Sequence, residues 1–88
     1  IDFWAEWCGP CKMLGPVYEK VAGEFKDKAL FLKVNSDQHQ SLSAYFRVSS
    51  IPVVFMIHKQ EVKANWVGLR PFEFYKGSVD KFLSSISG

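Results

Sequence analysis

The chain of 88 residues has only two cysteines, Cys8 and Cys11, and it has no apolar run near the roughly 20 residues that a membrane-spanning helix needs. Its 11 lysines and arginines are scattered, whereas a nucleic-acid-binding surface requires a clustered basic patch. Internal repeats, low-complexity segments and a recognisable signal peptide are also missing. We therefore expect neither a nucleic-acid partner nor a membrane partner.

The chain is instead rich in the residues that build a core. Hydrophobic residues make up 48% of the sequence and aromatic residues 16%, with 23% charged residues and a formal net charge of +2. This composition and length predict one folded domain. The sequence opens with IDFWA, which reads as the interior of a strand, so we expect a single domain over residues 1–88 that is incomplete at its N-terminus.

The spacing of apolar residues predicts seven elements in the order β–α–β–α–β–β–α. The predicted strands cover residues 1–5, 29–34, 53–57 and 62–67, and the predicted helices cover residues 11–25, 41–46 and 72–86. Alternating strands and helices indicate an α/β fold with a mostly parallel central sheet flanked by helices on both faces. The last two strands are expected to form an antiparallel hairpin at one edge.

The C-x-x-C pair at Cys8 and Cys11 is a weak signal by itself, because zinc sites, structural bridges and redox centres all use it. Zinc would require two further ligands, and neither His39 nor His58 has a suitable spacing, so no metal is expected. A structural bridge across so short a loop would constrain little of the unfolded chain. The predicted strand–helix junction favours redox chemistry, because a helix N-terminus stabilises a thiolate by about 0.3–2 kcal/mol.

Two longer segments extend this pattern and resemble the thioredoxin family. DFWAEWCGPCK at residues 2–12 and SIPVVFMI at residues 50–57 match two landmarks of that family, and the likeness covers nearly the whole chain. The family's first strand and helix have no counterpart here. The resemblance implies a thioredoxin-like fold with a mixed sheet. It also implies a dithiol–disulfide oxidoreductase that reduces protein disulfides, with the cysteine pair as its redox-active disulfide and no other cofactor.

The resemblance assigns chemical roles to four residues. Cys8 is the attacking thiol, and Cys11 resolves the mixed disulfide. Asp2 matches the family's buried aspartate and is expected to accept the Cys11 proton through water, with a pKa raised by burial. Lys33 matches the family lysine near that aspartate. A surface acid at Asp2 and a lysine reaching into solvent at Lys33 remain the alternatives.

The resemblance also implies a surface that binds the substrate. Its expected residues are Trp7, Gly9, Pro10, Ile51, Pro52, Val67 and Gly68. Pro52 matches the family's cis-proline opposite the disulfide, where the backbone of Ile51 can pair with an extended substrate. Gly68 either lets a partner's backbone approach or simply ends its strand.

The expected partners are disulfide-containing proteins and an external reductant such as a thioredoxin reductase. We expect a cytoplasmic location, with an organelle as the alternative. Two other functions stay open: a disulfide isomerase or oxidase domain, and a binding or scaffold module of the same fold. The Gly9–Pro10 dipeptide resembles the reducing members, and the intact cysteine pair argues against a scaffold.

Two segments depart from the family pattern. HKQE at residues 58–61 lacks the Asn or Gly that a type I′ turn prefers, which predicts another turn type. LRPFEFY at residues 69–75 is longer than the usual connection. It predicts either an extra turn of the last helix, started by Pro71, or an apolar patch of Leu69, Phe72 and Phe74 for a particular partner.

Overall fold

The computed structural model describes residues 1–87 and contains seven elements in the predicted order. These are β1 (Asp2–Trp4), α1 (Gly9–Glu24), β2 (Lys33–Asn35), α2 (Gln40–Tyr45), β3 (Val53–His58), β4 (Glu61–Val67) and α3 (Phe72–Ser87). The strands form one four-stranded sheet in the order β2-β1-β3-β4. The predicted α/β fold with a mixed central sheet is confirmed.

The strand directions differ in detail from the expectation of a mostly parallel sheet. β1 and β2 are parallel, with Asp2 opposite Lys33, whereas β3 is antiparallel to both β1 and β4. One parallel pair therefore stands beside two antiparallel pairs in the described sheet. The hairpin of β3 and β4 is antiparallel, as expected.

Two apolar layers cover the sheet. One layer contains Leu14, Tyr18 and Val21, which lie at helical spacing on α1, and Phe25, which follows that helix. They pack against Val54 of β3 and Tyr75 of α3. The other lies around Phe3, with Val34, Val53 and Phe55, and is covered by Phe46 and Val48. Because alternate residues of a strand point to opposite faces, Phe3 faces the second layer while Asp2 and Trp4 face α1.

β2 is shorter than the predicted strand at residues 29–34, because the ladder begins only at Lys33. The parallel register starts with Asp2 opposite Lys33, so β1 offers no partner to residues 29–31. Directly before Lys33, the carbonyl oxygen of Leu32 accepts a hydrogen bond from the amide of Asp2 at 2.9 Å. Leu30 is 81% exposed, so the apolar letters that predicted a buried strand here were misleading.

The turn between β3 and β4 was also predicted wrongly. His58 pairs with Glu61, which leaves a two-residue loop with φ +52° at Lys59 and +67° at Gln60. Positive φ at both central residues is the pattern of a type I′ turn, whose twist matches that of the strands. The strand pairing therefore outweighs a local cost of about 1–2 kcal/mol per non-glycine residue.

The long connection before α3 is mainly structural. α3 begins at Phe72, directly after Pro71, and both Phe72 and Phe74 pack against the α1 layer. Arg70 lies 4.7 Å from the centre of the Phe74 ring. These contacts favour the extra helical turn over the partner patch. Of the three apolar residues of that patch, Leu69 is the exposed one, at 41%, whereas Phe72 and Phe74 are half-buried.

Candidate redox site

The two cysteines lie at the start of α1, where the helix leaves its first N–H groups unpaired. Cys8 is the N-cap residue, and its sulfur accepts a hydrogen bond from the amide of Cys11 at 3.2 Å. Pro10, in the first turn, suits a position where no N–H partner is needed. Cys8 and Cys11 form a disulfide with their Cα atoms 5.3 Å apart, and each is only 4% exposed.

A small apolar cluster surrounds the disulfide. Ala5 is buried beside both cysteines, and Trp4 and Ile51 pack against them. The peptide bond from Ile51 to Pro52 is cis, as the resemblance implied, and Pro52 is buried. Segments more than 40 residues apart in sequence, at Cys8 and at Ile51, are thus brought into contact.

The segment after β4 lies against the same cis-proline. The amide of Gly68 donates a hydrogen bond to the carbonyl oxygen of Pro52 at 2.8 Å, and Val67 pairs with Val53. Val67 is 51% exposed, and Gly68 has φ +92°, a conformation that favours glycine. The structure therefore brings Val67 and Gly68 to Pro52, and the adjoining Ile51 to the disulfide.

Asp2 is buried on the α1 side of the sheet, with 1% exposure and no hydrogen-bond partner for either carboxylate oxygen. Burial raises the pKa of Asp2 from 3.8 to about 6, and the positive charge of Lys33 opposes that rise. The alternative of a surface acid is excluded. Asp2 shares its face of β1 with Trp4, two residues nearer to the cysteines.

Lys33 lies opposite Asp2 in the parallel register, so the two side chains share one face of the sheet. Its side chain is exposed, and its ammonium lies 5.6 Å from the centre of the Trp4 ring. The side chain of Lys33 therefore reaches solvent, which was the alternative expected from the sequence. It still places a positive charge near Asp2. The two expectations for this lysine are compatible.

Trp7 is 71% exposed beside the cysteines, together with exposed Gly9 and Pro10. Its indole N–H donates a hydrogen bond to a carboxylate oxygen of Asp37 at 2.9 Å. The amide of Asp37 in turn donates to the side-chain oxygen of Asn35 at 2.9 Å. Sequence reasoning missed Asp37, because the polar segment after β2 showed turn-forming residues but no partner for them.

The described residues, 1–87, contain no group of three or more histidine, cysteine or acidic side chains that could hold a metal ion. A cavity of about 420 Å³ elsewhere is lined mainly by apolar residues and includes neither cysteine. No helix within the described part of the chain is long and apolar enough to cross a membrane.

The sequence model of the thioredoxin family matches residues 1–81. The chain belongs to the thioredoxin family. It is 43% identical to the thioredoxin of Staphylococcus haemolyticus over 83 residues, which cover 94% of this chain and 80% of the relative. The thioredoxin of Haemophilus influenzae is 46% identical over 71 residues, covering 81% of this chain and 66% of the relative. A chloroplastic M-type thioredoxin of Spinacia oleracea is 36% identical over 84 residues, covering 96% of this chain and 46% of the relative.

Membership of this family, together with the disulfide between Cys8 and Cys11, identifies the protein as a thiol-disulfide oxidoreductase. The predicted family, fold and enzyme class are thus confirmed. Thioredoxins in general act on protein disulfides and are returned to the dithiol by a reductase. Bacterial and chloroplastic relatives both occur among the similar proteins.

Proposed function

We propose that this thioredoxin-family protein works in the reducing direction, with Cys8 as the nucleophile and Cys11 as the resolving thiol. The Cys8 thiolate attacks a substrate disulfide, forms a mixed disulfide and releases one substrate thiolate. The Cys11 thiolate then attacks the Cys8 sulfur, which closes the Cys8–Cys11 disulfide and releases the second substrate thiolate. Two electrons pass to the substrate, and the structure corresponds to the oxidised product of this sequence.

The hydrogen bond from the Cys11 amide to the Cys8 sulfur is the observation that supports this order of attack most directly. An N–H aimed at sulfur stabilises the thiolate more than the neutral thiol, and the start of α1 adds its positive end. Cys11 lies inside the first turn, where its sulfur reaches that of Cys8 and can attack it once a mixed disulfide has formed.

Asp2 is proposed to take the proton from Cys11 through an intervening water. A carboxylate whose pKa lies near 6 is mostly ionised at neutral pH and is still basic enough to accept a proton. Lys33, opposite it in the sheet, is proposed to keep Asp2 from being protonated at working pH.

The substrate is proposed to lie across the exposed edge of the site. Its contacts are Trp7, Gly9, Pro10, Ile51, Pro52, Val67 and Gly68. The exposed indole of Trp7 and the exposed Val67 support an apolar contact, and the backbone of Ile51 offers pairing to an extended segment. The partners are therefore disulfide-containing proteins, with an external dithiol enzyme such as a thioredoxin reductase supplying electrons. We propose a cytoplasmic location and chemistry that needs only the cysteine pair.

Reduction of insulin disulfides with a chemical dithiol as electron source tests the assignment. We expect Cys8→Ser to abolish turnover and Cys11→Ser to accumulate a covalent mixed disulfide, visible by mass spectrometry. The two variants control each other, because each exchanges one sulfur for oxygen at a buried position of the same cluster. Unchanged turnover in Cys8→Ser would overturn the proposed chemistry.

A redox titration decides the direction. Thioredoxins have potentials of about −270 mV, whereas isomerases lie near about −180 mV and strong oxidases near about −120 mV. We expect a value close to that of thioredoxins. A potential above about −200 mV would favour the isomerase or oxidase alternative, and a folded protein without any reducing activity would favour the scaffold.

A further inference from the structure

A tyrosine outside the family motifs contacts the backbone directly before Lys33. The hydroxyl of Tyr18, on α1, donates a hydrogen bond to the carbonyl oxygen of Leu32 at 2.8 Å. The same oxygen accepts the amide of Asp2 at 2.9 Å. One carbonyl thus joins helix α1, strand β1 and the entry to β2.

This carbonyl lies where the chain is otherwise weakly held. Residues 29–31 have no ladder partner in the described sheet, and the side chain of Leu32 is 45% exposed. Tyr18 itself is only 4% exposed, belongs to the α1 core layer and stacks edge-to-face with Phe31 at 5.6 Å. The buried ring of Tyr18 therefore joins the segment before β2, which has no ladder partner, to helix α1.

The anchor matters because of the residue that follows it. Lys33 faces Asp2 across the ladder, and it forms neither of the two ion pairs found among residues 1–87, which are Lys63–Glu61 and Lys76–Asp80. With no ion pair to hold its ammonium, the place of this charge depends on the backbone and on its contact with the Trp4 ring.

We propose that Tyr18 is a positioning residue for the thiol chemistry: through the Leu32 carbonyl it holds Lys33 in register opposite Asp2. The inference rests on the proposed function, in which Asp2 accepts the Cys11 proton. Loss of the hydroxyl lets the start of β2 and the Lys33 charge move away from Asp2. The carboxyl group of Asp2 then stays protonated to higher pH, and in that pH range it cannot accept the proton of Cys11.

Several other groups surround Asp2. The titratable ones are Lys33 on β2, Tyr18 on α1 and Tyr75 on α3. β3 contributes Val54, which does not titrate. Burial raises the pKa of both tyrosines, so they stay neutral in the assay range. Because all variants below retain Tyr75, differences between them isolate Tyr18 and Lys33.

The test is stopped-flow reaction of the reduced protein with dithionitrobenzoate, which separates the two thiol steps. Attack by Cys8 releases the first thionitrobenzoate, and attack by Cys11 on the mixed disulfide releases the second. For Tyr18→Phe we expect the pH at which the rate of the second phase falls on the acid side to rise by about 0.5 pH unit. The reason is that Asp2 loses part of its interaction with the Lys33 charge, and a nearby opposite charge usually shifts a carboxyl pKa by about 1–3 units. The first phase should keep its profile. Tyr45→Phe, which removes the hydroxyl of a tyrosine that is 79% exposed, should leave both phases unchanged.

A double-mutant cycle separates positioning from a general structural effect. Lys33→Met should raise the pH of this fall in rate further than Tyr18→Phe does. Adding Tyr18→Phe to Lys33→Met should not change the pH profile again. A displacement by Tyr18→Phe that persists in the Lys33→Met background, equal changes in both phases, or no displacement would each overturn the proposal. Tyr18→Leu serves as a second variant, because loss of the hydroxyl should give the same displacement without the ring.

Failure of the proposed function has a different signature. The unsubstituted protein would then release no second thionitrobenzoate, or Cys11→Ser would release it at the normal rate. A normal second phase in the unsubstituted protein with an unaltered Tyr18→Phe profile overturns the role of Tyr18 alone.

Discussion

Replacing Asp2 with asparagine removes a buried charge while keeping the size of the side chain. Asp2 is 1% exposed and its oxygens have no hydrogen-bond partner, so burial disfavours the ionised form. The pKa of Asp2 rises from 3.8 to about 6 in the folded state. A difference of roughly two pH units, at 1.36 kcal/mol each, makes the ionised carboxylate unfavourable for folding by about 3 kcal/mol.

How stability changes with pH depends on whether the folded or the unfolded chain binds the Asp2 proton more tightly. Below about pH 4 Asp2 is protonated in both states, and it costs the fold nothing through its charge. Between about pH 4 and 6 the unfolded chain releases the proton first, so the free energy of unfolding falls as pH rises. Above about pH 6 the full effect of about 3 kcal/mol is present.

We therefore expect Asp2→Asn to be more stable than the unsubstituted protein by about 3 kcal/mol at pH 7.5, and nearly equal to it at pH 4. Urea unfolding followed by circular dichroism measures the difference, and with an m-value of about 1–2 kcal/mol/M the midpoint should rise by about 1.5–3 M. Asp27→Asn applies the same exchange to an exposed carboxylate and should change stability by less than about 0.5 kcal/mol.

The outcome that refutes this reasoning is a gain of the same size at both pH values. Such a result would mean that the amide packs better than the carboxyl, and that the charge has no part in it. A midpoint at or below that of the unsubstituted protein at about pH 7.5 would also refute it, because the buried carboxylate would then be compensated by contacts that the structure does not show.

Two further predictions concern Asp37 and the hairpin turn. Asp37→Ala removes the acceptor for the Trp7 indole, which should raise the KM for insulin about two- to fivefold through a looser contact surface, while the reaction with dithionitrobenzoate stays unchanged. An equal effect on both substrates would contradict a role in substrate contact. Gln60→Gly relieves the positive φ of +67° and should stabilise the fold by up to about 1 kcal/mol, seen as a rise in Tm. Lys28→Gly, in a turn without positive φ, should give no gain, and a rise there equal to that of Gln60→Gly would show that the turn is unstrained.

The parts of the fold that could be predicted from sequence are those encoded by local pattern. The periodic apolar residues of α1 and the continuous apolar run of β3 each identify an element without knowledge of its partners. The burial of Asp2 was expected from the family resemblance, and its place inside the first strand agrees with that expectation. The closeness of Ile51 and Pro52 to the cysteines came from the family resemblance, since neither position has a local signal for it.

The parts that could not be predicted depend on contacts between distant residues. Trp7 and Asp37 are 30 positions apart, and their hydrogen bond exists only because the start of α1 and the end of β2 meet at one edge of the sheet. The late start of β2 follows from the register of Asp2 against Lys33, which apolar letters alone do not specify. The hairpin turn follows from strand pairing that outweighs the local preference of Lys59 and Gln60.

The buried carboxyl group of Asp2, on β1, lies near Lys33 of β2 and Tyr18 of α1. Asp2 contributes a destabilising charge at neutral pH, yet proton transfer from Cys11 requires a base that is ionised there. A nearby positive charge lowers the pKa of the carboxyl group and reduces its cost to folding at the same time, so stability and activity both depend on where Lys33 lies. If Tyr18 fixes that position, Tyr18→Phe should steepen the loss of stability between about pH 4 and 7 as well as displace the second kinetic phase. Agreement between these two measurements would show that one hydrogen bond to the Leu32 carbonyl acts on both.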